Sequence, residues 1–191
     1  MQELYLICHG QTQPTHHVTD PYSAELTSEG LTQAEALATV CRTWQIEYLG
    51  VSTTLHAQQT ADIIHAALPA LQRRDMQDLE DIALDDLNLD PTASHRPTTW
   101  TPAQRQAGLR QAWTRVTAAL ARIWLYCEHN NVTRIALVAG PDILSLVFLS
   151  YLGLDWRVDE RLAFRLDPGS STRITLLPGE RVRVDWVNRQ P

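Results

Sequence analysis

The segment Leu-Tyr-Leu-Ile-Cys-His-Gly-Gln-Thr, at residues 4–12, is the strongest indication of the fold. It begins with an uninterrupted apolar run, which is typical of a buried β-strand. His9 and Gly10 come directly after that run, so the strand is predicted to end in a glycine-containing loop. In open α/β folds, functional groups lie beyond the carboxyl ends of the strands. His9 is therefore the first candidate for a functional residue.

The patterns that follow predict alternating helices and strands. Thr27 is a suitable N-cap for one helix, and Pro102 is well placed in the first turn of another. The predicted elements are helix 28–44, strand 48–52, helix 55–68, a weak strand 71–76, helix 101–128, strand 135–139, an apolar helix after Pro141, and a hairpin of strands 173–177 and 181–187. This order predicts an α/β fold with three α/β/α layers, a mostly parallel central sheet and a C-terminal β-hairpin, in a single domain spanning residues 1–191.

An acidic segment interrupts this alternation. Residues 75–90 include seven acidic side chains and neither lysine nor arginine. Pro91 and Pro97 follow, and the whole region to about Trp100 is predicted to be a long irregular insertion.

Composition restricts the possible partners and the location. A net charge of −6 argues against nucleic acid and anionic membranes as main partners, since both are bound mainly through basic patches. The longest apolar stretch, residues 143–154, is too short to span a bilayer. The three cysteines have no disulfide-framework spacing, so we expect reduced thiols and a cytoplasmic protein.

Four separated segments carry a resemblance to a known family. Residues 4–12 resemble the first strand and Arg-His-Gly signature of the histidine phosphatase superfamily, the phosphoglycerate mutase-like proteins. The other matching segments are residues 26–34, 52–61 and 135–142. The order of the four segments is that of the family, and the resemblance spans nearly the whole chain.

The resemblance implies a phosphohistidine mechanism with several residues missing. The histidine that matches His9 attacks the phosphoryl group, and an acidic residue that corresponds to Asp81, with Glu80 and Asp85 nearby, protonates the leaving group. Cys8 and His56 stand where the family has arginines, and Gly140 stands where it has a second histidine. The implied phosphate pocket is lined by Cys8, Gly10, Thr12, Thr15, His56, Gly140 and Pro141.

Electrostatics then favours a pseudoenzyme. Phosphoryl transfer needs preorganised cations around the equatorial oxygens, and the matched positions provide none of them. We therefore expect weak hydrolysis at most, no cofactor, and a small-molecule ligand or a protein partner. The apolar helix after Pro141 is compatible with either a monomer or a homodimer.

Two alternatives remain open. One is an active phosphomonoesterase that uses His9 and Asp81, with cations supplied by Arg96 or Arg165. The other is a metal-binding protein, because thiol and imidazole groups at Cys8, His9 and His56 are zinc ligands. Asp81, His16 or His17 would supply the fourth ligand of that site.

Overall fold

The computed structural model describes residues 2–13, 23–82, 101–158, 164–179 and 181–191, and six strands in these ranges form one central sheet. The strands are β1 (Gln2–Cys8), β2 (Tyr48–Ser52), β3 (Gln72–Met76), β4 (Arg134–Ala139), β5 (Ser171–Leu177) and β6 (Arg181–Arg189). Their spatial order is β3-β2-β4-β1-β5-β6. The first four in this order run parallel, whereas β5 is antiparallel to β1 and to β6. The predicted mostly parallel sheet with a C-terminal hairpin is confirmed.

Four α-helices within the described residues cover the two faces of this sheet. They are α1 (Ser28–Trp44), α2 (Leu55–Ala67), α3 (Pro102–Asn130) and α4 (Pro141–Tyr151). Side chains alternate along β1, so that Leu4 and Leu6 pack with α3 and α4 while Tyr5 and Ile7 pack with α1 and α2. This alternation produces the two hydrophobic cores of the predicted three-layer fold.

Local hydrogen bonds explain why the helices begin where the sequence predicts. The side chain of Thr27 accepts a hydrogen bond from the Gly30 N–H at the start of α1. Thr101 and Gln104 form a reciprocal capping box at the start of α3. The end of α3 lies at Asn130, slightly beyond the predicted end, and Asn131 closes it in the left-handed conformation.

The sheet topology brings three strand ends to one edge. Cys8 pairs with Ala139, so β1 and β4 end side by side, and β2 lies next to β4 in the same direction. Helices α2 and α4 both begin at this edge. His9 follows β1 here, in the place that the sequence predicts for a site.

Two further predictions from the sequence concern membrane-spanning helices and the irregular insertion. No helix in the described ranges is both long enough and apolar enough to cross a bilayer. Residues 83–100, which contain most of the predicted irregular insertion, lie outside the described residues.

Candidate functional site

His9 is held by backbone hydrogen bonds on both sides. Its N–H donates to the Ala139 carbonyl at 3.3 Å, and its own carbonyl accepts from Gly169 N at 2.9 Å. The imidazole Nδ1 lies 2.8 Å from the Gly10 carbonyl oxygen. A ring fixed through Nδ1 presents its other nitrogen, Nε2, for chemistry.

His56 lies in the first turn of α2, directly beside His9. The two imidazole rings are 4.1 Å apart between centroids and inclined by 53°. The side chain of His56 is only 5% exposed, and its Nδ1 lies 3.3 Å from the Ala24 carbonyl oxygen. Its Nε2 lies 3.6 Å from Asp81 Oδ2, which is longer than a hydrogen bond.

Asp81 follows the short 3-10 helix Gln77–Leu79 that leaves β3. Its carboxylate occupies the space beside Gly140, where an added Cβ would lie 2.7 Å from Asp81 Cγ and would overlap Oδ1. One ring nitrogen of each histidine and one carboxylate oxygen of Asp81 all lie within 4.8 Å of one another. We call His9, His56 and Asp81 the polar cluster.

Cys8 belongs to the hydrophobic core instead of this cluster. Its residue surface is 1% exposed, and it packs with Leu4 and Leu6 against the α3 and α4 side of the sheet. Burial, reinforced by the negative charges of Asp81 and Asp167, raises the pKa of the thiol to about 12. The ligand set predicted from sequence is therefore corrected. Asp81, expected as a possible fourth ligand, lies with the two histidines, whereas Cys8 does not, because residues alternate between the two faces of β1.

Gly10 and Gly30 allow two segments of the chain to touch. A Cβ on Gly10 would clash with the Gly30 carbonyl, and one on Gly30 would clash with the Gln11 carbonyl. The Gly10 N–H donates to Thr60 Oγ1 at 3.1 Å, which ties the loop after β1 to α2. Gly10 thus has a positioning role at the site, because any side chain would separate β1 from α1.

Of the other residues predicted to line the pocket, the structure describes Thr12 and Pro141. Thr12 forms an isolated antiparallel bridge with Leu26 and is partly buried. Pro141 is exposed in the first turn of α4. Thr15, His16 and His17 lie outside the described residues.

No arginine among the described residues acts on the pKa of His9. Burial and then the neighbouring His56 lower the pKa of His9 to about 4, although the Gly10 carbonyl and Asp81 act in the opposite direction. The imidazole is therefore neutral at physiological pH.

Of the two arginines considered as cation sources, only Arg165 lies within the described residues. The side chain of Arg165 is 83% exposed, and its Nε pairs with Asp167 Oδ1 at 2.8 Å. Arg96 lies outside the described residues.

Arg115 of α3 is a supporting residue that the sequence alone does not identify. Its guanidinium donates to the carbonyl oxygens of Gln77 and Glu80, each at 3.4 Å. It therefore holds the segment that delivers Asp81. No local pattern marks this role, since the contact joins a helix to a loop far away along the chain.

Comparisons with known proteins agree with this architecture. The sequence profile of the Histidine phosphatase superfamily (branch 1) matches residues 4–189. No curated protein sequence matches the chain significantly.

Solved structures with the same fold include several phosphatases. A putative α-ribazole-5′-P phosphatase from Escherichia coli has a TM-score of 0.73 at 20% identity, with 100% of this chain and 98% of that chain covered. A mycobacterial glucosyl-3-phosphoglycerate phosphatase has a TM-score of 0.71 at 22% identity, with 98% and 99% covered. A phosphoserine phosphatase mutant from Entamoeba histolytica has a TM-score of 0.66 at 18% identity, with 100% and 98% covered. At these identities the likeness establishes the fold alone.

Proposed function

The chain belongs to branch 1 of the histidine phosphatase superfamily, and we propose that it is a pseudoenzyme that binds a small molecule or a protein partner of low charge. On this proposal it hydrolyses phosphomonoesters slowly or not at all. The observation that supports it most directly is the surroundings of His9. The His56 ring lies 4.1 Å from the His9 ring between centroids, and an Asp81 oxygen lies within 4.8 Å of the imidazole nitrogens. Burial and then His56 lower the pKa of His9, and no described arginine acts on it.

The energetic argument concerns the charge of the substrate. A phosphomonoester is a dianion near neutral pH, and charge-assisted hydrogen bonds to it contribute about 1.5–3 kcal/mol each. Losing several of them removes several powers of ten in rate, since about 1.4 kcal/mol corresponds to one decade. Asp81 adds a further cost because its carboxylate lies in the same cluster and repels a dianion.

A working phosphomonoesterase is the second candidate, and one observation favours it. Neutral His9 is held through Nδ1 by the Gly10 carbonyl, so Nε2 keeps the lone pair that a nucleophile needs. In that reaction Nε2 would form a bond to phosphorus while the ester P–O bond breaks. A protonated Asp81 carboxyl would give its proton to the leaving oxygen, and water would then release phosphate from the histidine.

Steady-state hydrolysis by chelator-treated protein distinguishes the two candidates. We expect p-nitrophenyl phosphate and a panel of phosphometabolites to be turned over slowly or not at all, and inorganic phosphate to bind more weakly than about 1 mM. His9→Ala is the matched control. Turnover near 1 s⁻¹ or faster, on the order of ordinary enzymes, that disappears in His9→Ala would refute the pseudoenzyme proposal.

We also propose a cytoplasmic location, on the basis of the thiols. Cys8, Cys41 and Cys127 are free and buried, which is common in reducing compartments.

Whether the protein is a monomer or a homodimer is measured directly by light scattering on the purified chain.

A further inference from the structure

We propose that His9, His56 and Asp81 form a binding site for one divalent transition-metal ion of the zinc class. This inference goes beyond the proposed function, because it assigns a ligand to the polar cluster whether or not phosphate is processed. It differs from the site expected from sequence, since Asp81, there a possible fourth ligand, is one of the three ligands and Cys8 is not a ligand.

The first argument is the spacing of the donor atoms. One nitrogen from each imidazole and one Asp81 oxygen lie within 4.8 Å of one another. Zinc binds imidazole nitrogens at about 2.0–2.1 Å and carboxylate oxygens at about 2.0–2.2 Å, so three ligands can meet at one ion after small side-chain rotations. The carboxylate is the most adaptable of the three donors because 30% of the Asp81 side chain is exposed.

The second argument is the orientation of the two imidazoles. Metal-bound histidines usually donate the N–H of the second ring nitrogen to a carbonyl or carboxylate, which fixes the tautomer. Nδ1 of His9 lies 2.8 Å from the Gly10 carbonyl oxygen, and Nδ1 of His56 lies 3.3 Å from the Ala24 carbonyl oxygen. Both rings are therefore held through Nδ1, which leaves Nε2 on each as the ligand atom.

The third argument is the buried nitrogen of His56. Its Nε2 is inaccessible to solvent and makes no hydrogen bond to the described residues, although the side chain is 5% exposed. A buried polar atom without a partner carries a free-energy cost of about 1–3 kcal/mol. Asp81 Oδ2 lies 3.6 Å from this nitrogen, and a metal ion bound by both atoms would satisfy it.

The chemical types of the three donor groups indicate which class of metal ion would bind. Two imidazole nitrogens and one carboxylate suit zinc and its first-row neighbours, whereas magnesium and calcium prefer sites made of oxygen ligands. Three protein ligands also leave one tetrahedral position open to water or an anion, as in catalytic zinc sites. A divalent ion would reverse the local charge, because it outweighs the single Asp81 carboxylate.

Titration of the folded, chelator-stripped full chain with ZnCl₂ alone tests this site by calorimetry. We expect about one ion per chain, a dissociation constant in the micromolar range or tighter, and no binding of Mg²⁺. His56→Gln and Asp81→Asn are each expected to weaken binding at least about tenfold. His129→Gln is the matched control, because His129 is exposed at the end of α3 and lies outside the cluster.

Cobalt gives a second readout that does not depend on the stability of the variants. Co²⁺ bound by two imidazoles and a carboxylate in the wild type should show visible absorption typical of a four- or five-coordinate site. Circular dichroism verifies that each protein is folded. Failure of the folded wild type to bind either ion, or equal affinity in wild type, His56→Gln and Asp81→Asn, would overturn the metal site. Neither result bears on the pseudoenzyme proposal, which is tested with phosphoesters on metal-free protein.

Discussion

Gly140 is the residue whose lack of a side chain shapes the polar cluster. Its φ of −74° is accessible to any residue, so its role is spatial and not conformational. The Asp81 carboxylate fills the space that a Cβ on Gly140 would take. A residue with a side chain at this position, such as the histidine that the family resemblance implies, would therefore compete with Asp81 for the same space.

Gly140→Ala is expected to push the Asp81 carboxylate away from the histidines. Because the displaced group is the end of a partly exposed side chain, the free energy of unfolding should change by less than about 1 kcal/mol. Zinc affinity, measured by calorimetry, should fall by at least about tenfold. Gly153→Ala is the control for zinc affinity only: a Cβ there meets no atom within 4 Å, although the φ of +69° makes the substitution strained. An unchanged zinc affinity in Gly140→Ala would show that zinc binding does not depend on the space that Gly140 leaves for Asp81.

Cys8 is predicted to be chemically inert in the folded protein. Burial raises its pKa to about 12, and burial likewise raises the pKa values of Cys41 and Cys127 to about 12 and about 11. A thiol needs to be deprotonated and accessible to react. Ellman's reagent at pH 8 should therefore modify no thiol in native protein and all three in denaturant. Rapid modification of Cys8 in the native state, identified by mass spectrometry, would contradict its placement in the core.

At the scale of elements, Glu47 connects the starts of β2 and β4. Its carboxylate accepts hydrogen bonds from Thr133 N at 2.7 Å, from Arg134 N at 2.9 Å and from the Arg134 guanidinium at 2.7 Å. Burial alone would raise the pKa of Glu47, but these donors outweigh it and lower the pKa. The ionised carboxylate therefore stabilises the alignment of two adjacent parallel strands.

Glu47→Gln is expected to lower stability in a manner that depends on pH. A carboxyl with a depressed folded-state pKa contributes its full stabilisation above the unfolded value, about 4.3, and loses it as pH falls through the folded value. In urea unfolding, the free energy of unfolding of the variant should be about 1–3 kcal/mol lower than that of the wild type at pH 7. This difference should shrink below about pH 4.3. Glu35→Gln, at an exposed position of α1, serves as the control. A deficit independent of pH would mean that ionisation of Glu47 does not matter.

At the scale of the whole molecule, β4 separates the two cores. Leu137 packs on the side of α3 and α4, and its neighbour Val138 packs on the side of α1 and α2. Both residues are fully buried, between β2 and β1. The stability of the fold therefore depends on close packing around this strand, while the outer strand β6 contributes partly exposed residues.

Leu137→Ala is expected to destabilise the protein by about 2–5 kcal/mol, because it removes buried apolar contacts and leaves a cavity. Val187→Ala on β6 is the control; this side chain is 41% exposed and its truncation should cost no more than about 0.5 kcal/mol. Equilibrium unfolding in urea measures both. Equal effects for the two variants would contradict the central position of β4.

The secondary-structure elements, the three layers and the position of His9 could all be predicted from the amino-acid sequence. These features follow from local causes: an apolar run for β1, a hydroxyl at Thr27 or Thr101 that caps a helix, and alternation across Pro178 that makes a hairpin. Each signal is contained within a few residues, so its structural consequence can be predicted without knowledge of the rest of the chain.

Only the tertiary structure shows that Cys8 lies outside the polar cluster and how the Asp81 carboxylate enters it. Sequence grouped Cys8 with His9 and His56, but the pleat of β1 turns Cys8 into the core. The Asp81 carboxylate reaches the histidines because β3 ends at the same sheet edge and Gly140 leaves room for it. These are contacts between segments distant in sequence, and their geometry depends on strand order and on free volume, which no local pattern encodes.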